Sequence, residues 1–231
     1  MPGNDPFQII YQDESIIVIN KPSGLLTIPD GYHPEIPCLK NLLSHQFGKV
    51  FTVHRLDKDT SGILIFARTQ EAHKILSYQF ESRIIKKEYR AIAVSSSIAW
   101  EEITCTLPLR VNGDRNHRTI VDQMNGKSAG TIFRLMQSSN EYHYLFTWLL
   151  NGYTHQIRSH AAALAIPLLS DPLYHHISVP REVQLRFDII PRVALHAFSI
   201  SFEHPTLMEI MTFSAEIPSD FHNALQGLSL I

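Results

Sequence analysis

Polar residues interrupt apolar runs most densely in a few short segments of this chain, and those are where chemistry could reside. The most concentrated is His54-Arg55-Leu56-Asp57-Lys58-Asp59-Thr60-Ser61-Gly62, with two carboxylates and two fixed cations inside five residues. Carboxylates in such surroundings suit acid–base or nucleophilic work. Taken alone, the segment is equally a charged surface loop in which Asp59 or Thr60 caps a turn. A second dense segment is Thr154-His155-Gln156-Ile157-Arg158-x-His160, and Lys87-x-Tyr89-x-Ala91 and Leu195-His196-Ala197 are two more. Thirteen histidines invite a metal reading. His155 and His160, however, are five apart rather than the i, i+4 pair of HExxH, and no glutamate accompanies them. The adjoining His175 and His176 point in different directions. No metal is expected.

These segments need elements to position them. Ile16-Ile17-Val18-Ile19 reads as a buried strand stopped by the turn Lys21-Pro22-Ser23-Gly24. A short helix suits residues 37–47, and residues 62–67 form another strand directly after the carboxylate loop. Ala72, Ile75, Leu76 and Phe80 recur at helical spacing, which predicts a helix from about Gln70 to Glu81. Residues 88–94 alternate as a strand. Asn112-Gly113-Asp114 and Asn125-Gly126 are turn dipeptides of the kind that join antiparallel strands. Residues 131–136 and 142–150 read as a strand pair. Thr154 is the expected N-cap of a helix over residues 155–165, ended by Pro167. Strands at 197–202 and 207–213 precede a short C-terminal helix. Hairpin strands with scattered helices indicate α+β rather than a doubly wound fold.

Composition narrows the class further. A 44% hydrophobic and 18% charged chain is ordinary for a globular protein and excludes disorder. Cys38 and Cys105 are far apart and in no CxxC spacing, so they read as packed thiols in a reducing cytoplasm. Met1-Pro2-Gly3-Asn4-Asp5 lacks the cationic and apolar regions of a signal peptide, and the longest apolar run, residues 161–169, holds a proline. Nine residues fall far short of the ~20 that a membrane helix needs. A cytoplasmic location without membrane association is expected. The net charge of −2 argues mildly against a nucleic-acid binder. Four of the acidic residues (Glu203, Glu209, Glu216, Asp220) lie beyond the last basic one, Arg192, which leaves 20 basic against 18 acidic residues before that point. Arg83, Lys86, Lys87 and Arg90, then Arg110, Arg115 and Arg118, form local basic groups. A basic cleft on a neutral body is therefore compatible with the sequence, since phosphate attraction acts within a Debye length.

Six ordered segments together resemble the RNA pseudouridine synthases of the RluA type, over nearly the whole chain. They are Asp13 with Val18-x-Asn20-Lys21-Pro22-x-Gly24; the HRLDxxTSG loop at 54–62; Lys87-x-Tyr89-x-Ala91; Gly126-Lys127-x-Ala129; Thr154-His155-Gln156-Ile157-Arg158-x-His160 with Pro167 and Asp171-x-x-Tyr174; and Leu195-His196-Ala197 with Phe202-x-His204-Pro205. The resemblance implies the pseudouridine synthase fold, a mixed and largely antiparallel central sheet flanked by helices, with a central RNA-binding cleft. It implies one catalytic domain over residues 1–231. The match begins at about Asp13, which leaves no room for the S4 domain that relatives often carry ahead of it.

The implied reaction cleaves N1–C1′ of a uridine, turns the uracil and rejoins it through C5. No redox change or hydrolysis occurs, so no cofactor is implied. One carboxylate is needed as nucleophile or proton acceptor, and Asp57 matches the family's catalytic aspartate; Asp59 occupies a variable place. Arg158 matches the arginine that pairs with that aspartate, keeping it ionised and aiming it through a two-pronged hydrogen bond. Tyr89 matches the tyrosine that stacks on the flipped base, and Ile157 would wall the pocket. Arg55 matches the arginine that fills the space the base vacates, a step that costs a few kcal/mol. His54, Thr60 and Gly62 belong to the same substrate-binding loop. Lys87, Arg90, His155 and Gln156 are candidate RNA or supporting contacts. The implied partner is structured RNA, a ribosomal or transfer RNA stem-loop, met by a monomer.

The chain departs from the family pattern at four places. Gly152-Tyr153 stands where Gly-Arg usually precedes THQIR, Ser170 and Ala165 replace glycines, and His175 rather than glycine follows Tyr174. These put RNA specificity in question more than chemistry. The rival readings are a catalytically silent RNA-binding or ribosome-assembly factor of the same fold, and a metal hydrolase built on the histidines.

Overall fold

The computed structural model describes residues 6–231; the polar stretch 1–5, weighed above as a signal peptide, lies outside the described residues. In chain order the elements are β1 (Gln8–Gln12), β2 (Ile16–Lys21), α1 (Leu39–Phe47), β3 (Phe51–Thr52), β4 (Ser61–Ala67), α2 (Gln70–Glu81), β5 (Lys86–Val94), β6 (Glu102–Cys105), β7 (Leu109–Arg110) and β8 (Ile120–Val121). They continue with β9 (Thr131–Ser139), β10 (Tyr142–Leu149), α3 (Gln156–Ala163), α4 (Arg181–Gln184), β11 (Leu195–Glu203), β12 (Ile210–Ser214) and α5 (Ser219–Gly227). The class is α+β. The chain divides into two compact units: the first runs through Lys87 and adds Ala197–Glu216, and the second comprises Glu88–His196 with Ile217–Ile231.

In the first unit the strands lie in the order β1-β2-β4-β11, with β3 also on β4 and β12 beside β11. The pairs β1–β2, β2–β4, β3–β4 and β11–β12 are antiparallel. Ile16 to Ile19 have no exposure, and β4 is buried at every position. Such continuous apolar runs mark strands covered on both faces. One cover is α2, which buries Ala72, Leu76 and Gln79. The Thr69 hydroxyl accepts the Ala72 N–H at 3.1 Å and so starts that helix, a cap worth about 1 kcal/mol. The Gln79 amide then exchanges two hydrogen bonds with the Glu203 backbone, fastening α2 to β11. The closing His204 is fully buried with its Nε2 2.9 Å from Asp13, so the first and last matched motifs meet in one structural cluster.

The second unit is built on the antiparallel order β5-β10-β9-β6. Residues alternate across β5. Ile92 and Val94 face a core with Tyr142, Tyr144, Leu169, Ile190 and, from α5, Phe221, Ala224 and Leu225. Tyr89, by the same period, points to the other face. Arg192 and Asp220 form a two-pronged pair at 2.7 and 3.0 Å that anchors the start of α5.

Several elements differ from the sequence reading. The strand expected from 207 begins at Ile210, because His204-Pro205-Thr206 turns the chain and Met208 sits at φ 57. Strands β1, β6, β7 and β8 are short and gave no periodic signal. Asn112-Gly113-Asp114 does join two strands, but through a wider turn: the Asp114 carboxylate gathers the N–H groups of Asn116 and Arg118 and the Arg118 guanidinium. The α3 helix spans Gln156–Ala163 rather than 155–165, and its N-cap residue is His155 at φ 54, not Thr154. The chain enters α3 through a left-handed residue, a geometry that no Ser/Thr cap signal encodes.

Candidate active site

The loop that carries Asp57 is held by backbone hydrogen bonds on both sides of the carboxylate. Ahead of it, the Thr27 hydroxyl donates to the Leu56 carbonyl at 2.9 Å and accepts the Leu56 N–H at 3.2 Å. Behind it, the Lys58 carbonyl accepts from the Gly24 N–H at 2.9 Å and from the Lys21 ammonium at 3.0 Å. The Ser23 hydroxyl adds a bond to the Asp59 carbonyl at 2.9 Å. Lys21 has no exposure and also donates to the carbonyls of Pro22 and Leu25 at 2.9 and 2.8 Å. A buried ammonium is tolerable only with such a cage of acceptors. The Lys-Pro-Ser-Gly turn thus has a purpose that its composition did not reveal: it fixes the loop 56–59.

Around that loop the expected contacts sort by burial. Asp57 is half-buried, and Arg55, Lys58 and Asp59 are exposed. Thr60 is buried, its N–H donating to the Asp57 carbonyl at 3.2 Å. Gly62 stands at φ +117, and a β-carbon there would overlap the Ala197 carbonyl of β11 and lie 2.6 Å from the Ala197 nitrogen. Only glycine lets β4 approach β11 so closely. The His54 ring stacks on Phe80, centroids 4.5 Å apart, while its Nε2 accepts the Ile65 N–H at 3.1 Å. Burial, with the Lys87 charge a lesser cause, pushes its pKa down to about 3, so His54 is a neutral packing residue. Lys87 lies over the Phe80 ring at 5.8 Å, and burial brings its pKa down to about 8.

In the second unit Tyr89 is buried on β5, opposite Thr147 of β10. Its neighbour Arg90 is buried, stacks on the Phe146 ring at 3.3 Å and pairs with Glu88, the supporting place that its motif also allowed. Arg110 and Arg118 are likewise paired, with Asp122 and Asp114, so less cationic surface is open to phosphate than the basic groups suggested. Gln156 is also internal. It donates to the Gly130 carbonyl and the Thr131 hydroxyl at 2.9 and 3.1 Å and accepts the Tyr153 N–H, joining α3 to β9. Ile157 is buried beside it.

Arg158, expected on a helix surface if it were merely one more arginine, is 5% exposed. Its Nε and Nη2 donate to the two oxygens of Asp171 at 2.8 and 2.7 Å, and its guanidinium carbon lies 5.1 Å from the centre of the Tyr174 ring. The Tyr174 hydroxyl accepts the Thr119 N–H at 2.8 Å and is 3.1 Å from the Nδ1 of His155. His155 is therefore tied to the turn that follows α3. Asp171 and Tyr174 matched the family by spacing alone, and nothing in their sequence told that both would converge on Arg158.

Two of the departures become intelligible here. Ala165 and Ser170 have φ 60 and 56, the left-handed region that glycine occupies without strain. Ser170 is fully buried and its hydroxyl has no hydrogen-bond partner among the described residues. Among the described residues no group of three or more His, Cys, Asp or Glu side chains is placed to hold a metal ion. Among the same residues no helix is long and apolar enough to cross a membrane.

Comparison with known proteins agrees with this reading. The family model described as RNA pseudouridylate synthase matches residues 15–163. The ribosomal large subunit pseudouridine synthase D of Haemophilus influenzae is 36% identical over 97% of this chain and 72% of its own length. The protein of the same name from Zymomonas mobilis is 32% identical, covering 95% and 72%. An uncharacterized RNA pseudouridine synthase from Synechocystis is 36% identical, covering 96% and 69%. Among solved structures, human RNA pseudouridylate synthase domain containing 4 superposes with a TM-score of 0.75 at 21% identity, over 96% of this chain and 93% of its own, which shows the fold. With the sequence, the fold and these relatives in agreement, the chain belongs to the RNA pseudouridine synthase family, enzymes that isomerise uridine in RNA to pseudouridine.

Proposed function

We propose that this protein isomerises specific uridines in structured RNA, a ribosomal or transfer RNA stem-loop, with Asp57 as the catalytic carboxylate. The observation that carries the role of Asp57 is the clamp on its loop. Leu56, Lys58 and Asp59 are each bonded through the backbone to residues 21–27, while Asp57 itself stays half-exposed. A carboxylate held this way is oriented before substrate arrives, which is what nucleophilic or proton-accepting work requires. The reaction breaks N1–C1′, turns the base, forms C5–C1′, moves a proton from C5 to solvent and delivers one to N1. Atoms balance without oxidant or water.

Arg158 is the cation assigned to keep Asp57 ionised, Tyr89 the ring on which the displaced base stacks, and exposed Arg55 the side chain that enters the space the base leaves. The two relatives named for the ribosomal large subunit favour ribosomal RNA as substrate. The test is to map pseudouridines in total RNA from cells with and without the gene and then rebuild the lost modification with purified protein on a transcript of that region. Loss of at least one ribosomal or transfer RNA pseudouridine, restored in vitro, is expected. An unchanged map would refute the proposal.

A further inference from the structure

We infer that Asp171 is a positioning residue for the reaction, acting through Arg158; the inference rests on the reading of Arg158 given above. Its side chain has no exposure, and that of Arg158 has 6%. The carboxylate takes the whole Nε–Nη2 edge of the guanidinium at 2.8 and 2.7 Å, a two-pronged geometry that fixes both the place and the plane of the group. It is itself immobilised: Oδ1 also accepts the N–H groups of Leu173 and Tyr174 at 2.9 and 3.2 Å. The buried amide of Gln184 donates to the carbonyls of Leu168 and Tyr174 at 3.1 and 2.6 Å, locking both ends of the turn that bears Asp171. The Tyr174 ring lies against the guanidinium, 5.1 Å from its centre to the guanidinium carbon.

A buried ion pair is a poor way to gain stability, since apolar residues of the same volume do as well or better. What this pair supplies is geometry. With the Nε–Nη2 edge of the fork committed to Asp171, a second carboxylate meets Arg158 from its Nη end, whose place and plane Asp171 has fixed. Asp171 would thereby decide where Arg158 delivers its charge.

The test is a double-mutant cycle of Asp171→Asn and Arg158→Lys, read as the single-turnover rate and KM on one uridine-containing transcript. Asp171→Asn should lower the rate tenfold or more with KM within twofold. In the Arg158→Lys background the same change should cost less than twofold, because the group it positions has already lost its fork. A purely structural Asp171 would instead cost the same factor in both backgrounds, and that result, or a wild-type rate for Asp171→Asn, overturns the inference. Arg158→Lys at the wild-type rate would remove the reading of Arg158 and this inference together, whereas a costly Arg158→Lys with additive Asp171→Asn removes the inference alone. Should Asp171→Asn show no cooperative melt, Asp171→Ser takes its place with the same expected outcomes. It keeps a hydroxyl to accept the Leu173 and Tyr174 N–H groups in a smaller volume.

Discussion

Replacing Ser170 by glycine should make the protein more stable, an uncommon outcome for a change at a fully buried position. Ser170 lies at φ 56, and an L-residue there carries about 1–2 kcal/mol of steric cost that glycine avoids. Its hydroxyl is buried without a hydrogen-bond partner among the described residues, a further cost of about 1–3 kcal/mol. Against these stands the extra freedom of glycine in the unfolded chain, about 0.4–1 kcal/mol. The balance favours Ser170→Gly by roughly 1–4.6 kcal/mol, or about 2–4 °C in melting temperature per kcal/mol for a chain of this size. Ala165→Gly, at φ 60 and without a hydroxyl, should yield a smaller gain of about 0.5–1 kcal/mol. Ser170→Ala separates the two terms, since it removes the hydroxyl and keeps the strained β-carbon. Thermal melts followed by circular dichroism on the three variants would check the ordering Ser170→Gly above Ser170→Ala above wild type. A melting temperature for Ser170→Gly at or below that of the wild type would refute the strain argument.

Lys21→Met keeps the apolar stem but leaves the carbonyls of Pro22, Leu25 and Lys58 without their buried donor. It should cost about 3–5 kcal/mol in chemical denaturation and lower kcat more than RNA affinity, because the Asp57 loop loses its clamp. Gly62→Ala would drive a β-carbon into the Ala197 backbone and should cost at least ~3 kcal/mol or prevent folding, seen as loss of soluble, cooperatively melting protein. The pH dependence concerns Asp220. Burial raises its pKa, but the hydrogen bonds and charge of Arg192 outweigh this and hold the carboxyl below the usual range. A depressed folded pKa contributes stability that is fully present above the unfolded value of about 3.9 and is lost as pH falls through the folded one. Asp220→Asn should therefore cost about 1–2 kcal/mol at pH 7, and its deficit should shrink as the pH drops below about 4. A deficit that is constant with pH would show that Arg192 and Asp220 do not act as an ion pair.

The sequence revealed those parts of the molecule that are local. The α2 helix was bounded correctly, since an apolar stripe at helical spacing is a short-range signal. Strands β2 and β4 announced themselves as apolar runs, and Asn112-Gly113-Asp114 marked the β7–β8 hairpin, whereas Asn125-Gly126 lies between β8 and β9, which belong to different sheets. What escaped were arrangements fixed by distant partners. Gln156 was read from its motif as an RNA or supporting contact, and its acceptors lie 25 and 26 residues away, at Thr131 of β9 and at Gly130 just before it. His54, placed in the substrate loop, and Arg90, an RNA or supporting contact by its motif, are packed against Phe80 and Phe146, partners that the sequence did not show. The left-handed His155 carried no glycine to flag it, whereas Ala165 and Ser170 stand where the family pattern has glycine. Asp171 was visible as a spacing but not as a partner, because the turn that brings it to Arg158 is set by Gln184, thirteen residues further on.

The most direct test of the central claim is the rate of pseudouridine formation by Asp57→Asn on the RNA identified by mapping. The substitution retains shape and removes the charge, and the clamp on the loop acts through neighbouring backbone groups that it leaves in place. Near-normal melting temperature and RNA affinity are expected, with turnover reduced to background. Pseudouridine formation at a rate comparable to the wild type would contradict the assignment of Asp57 as the catalytic carboxylate.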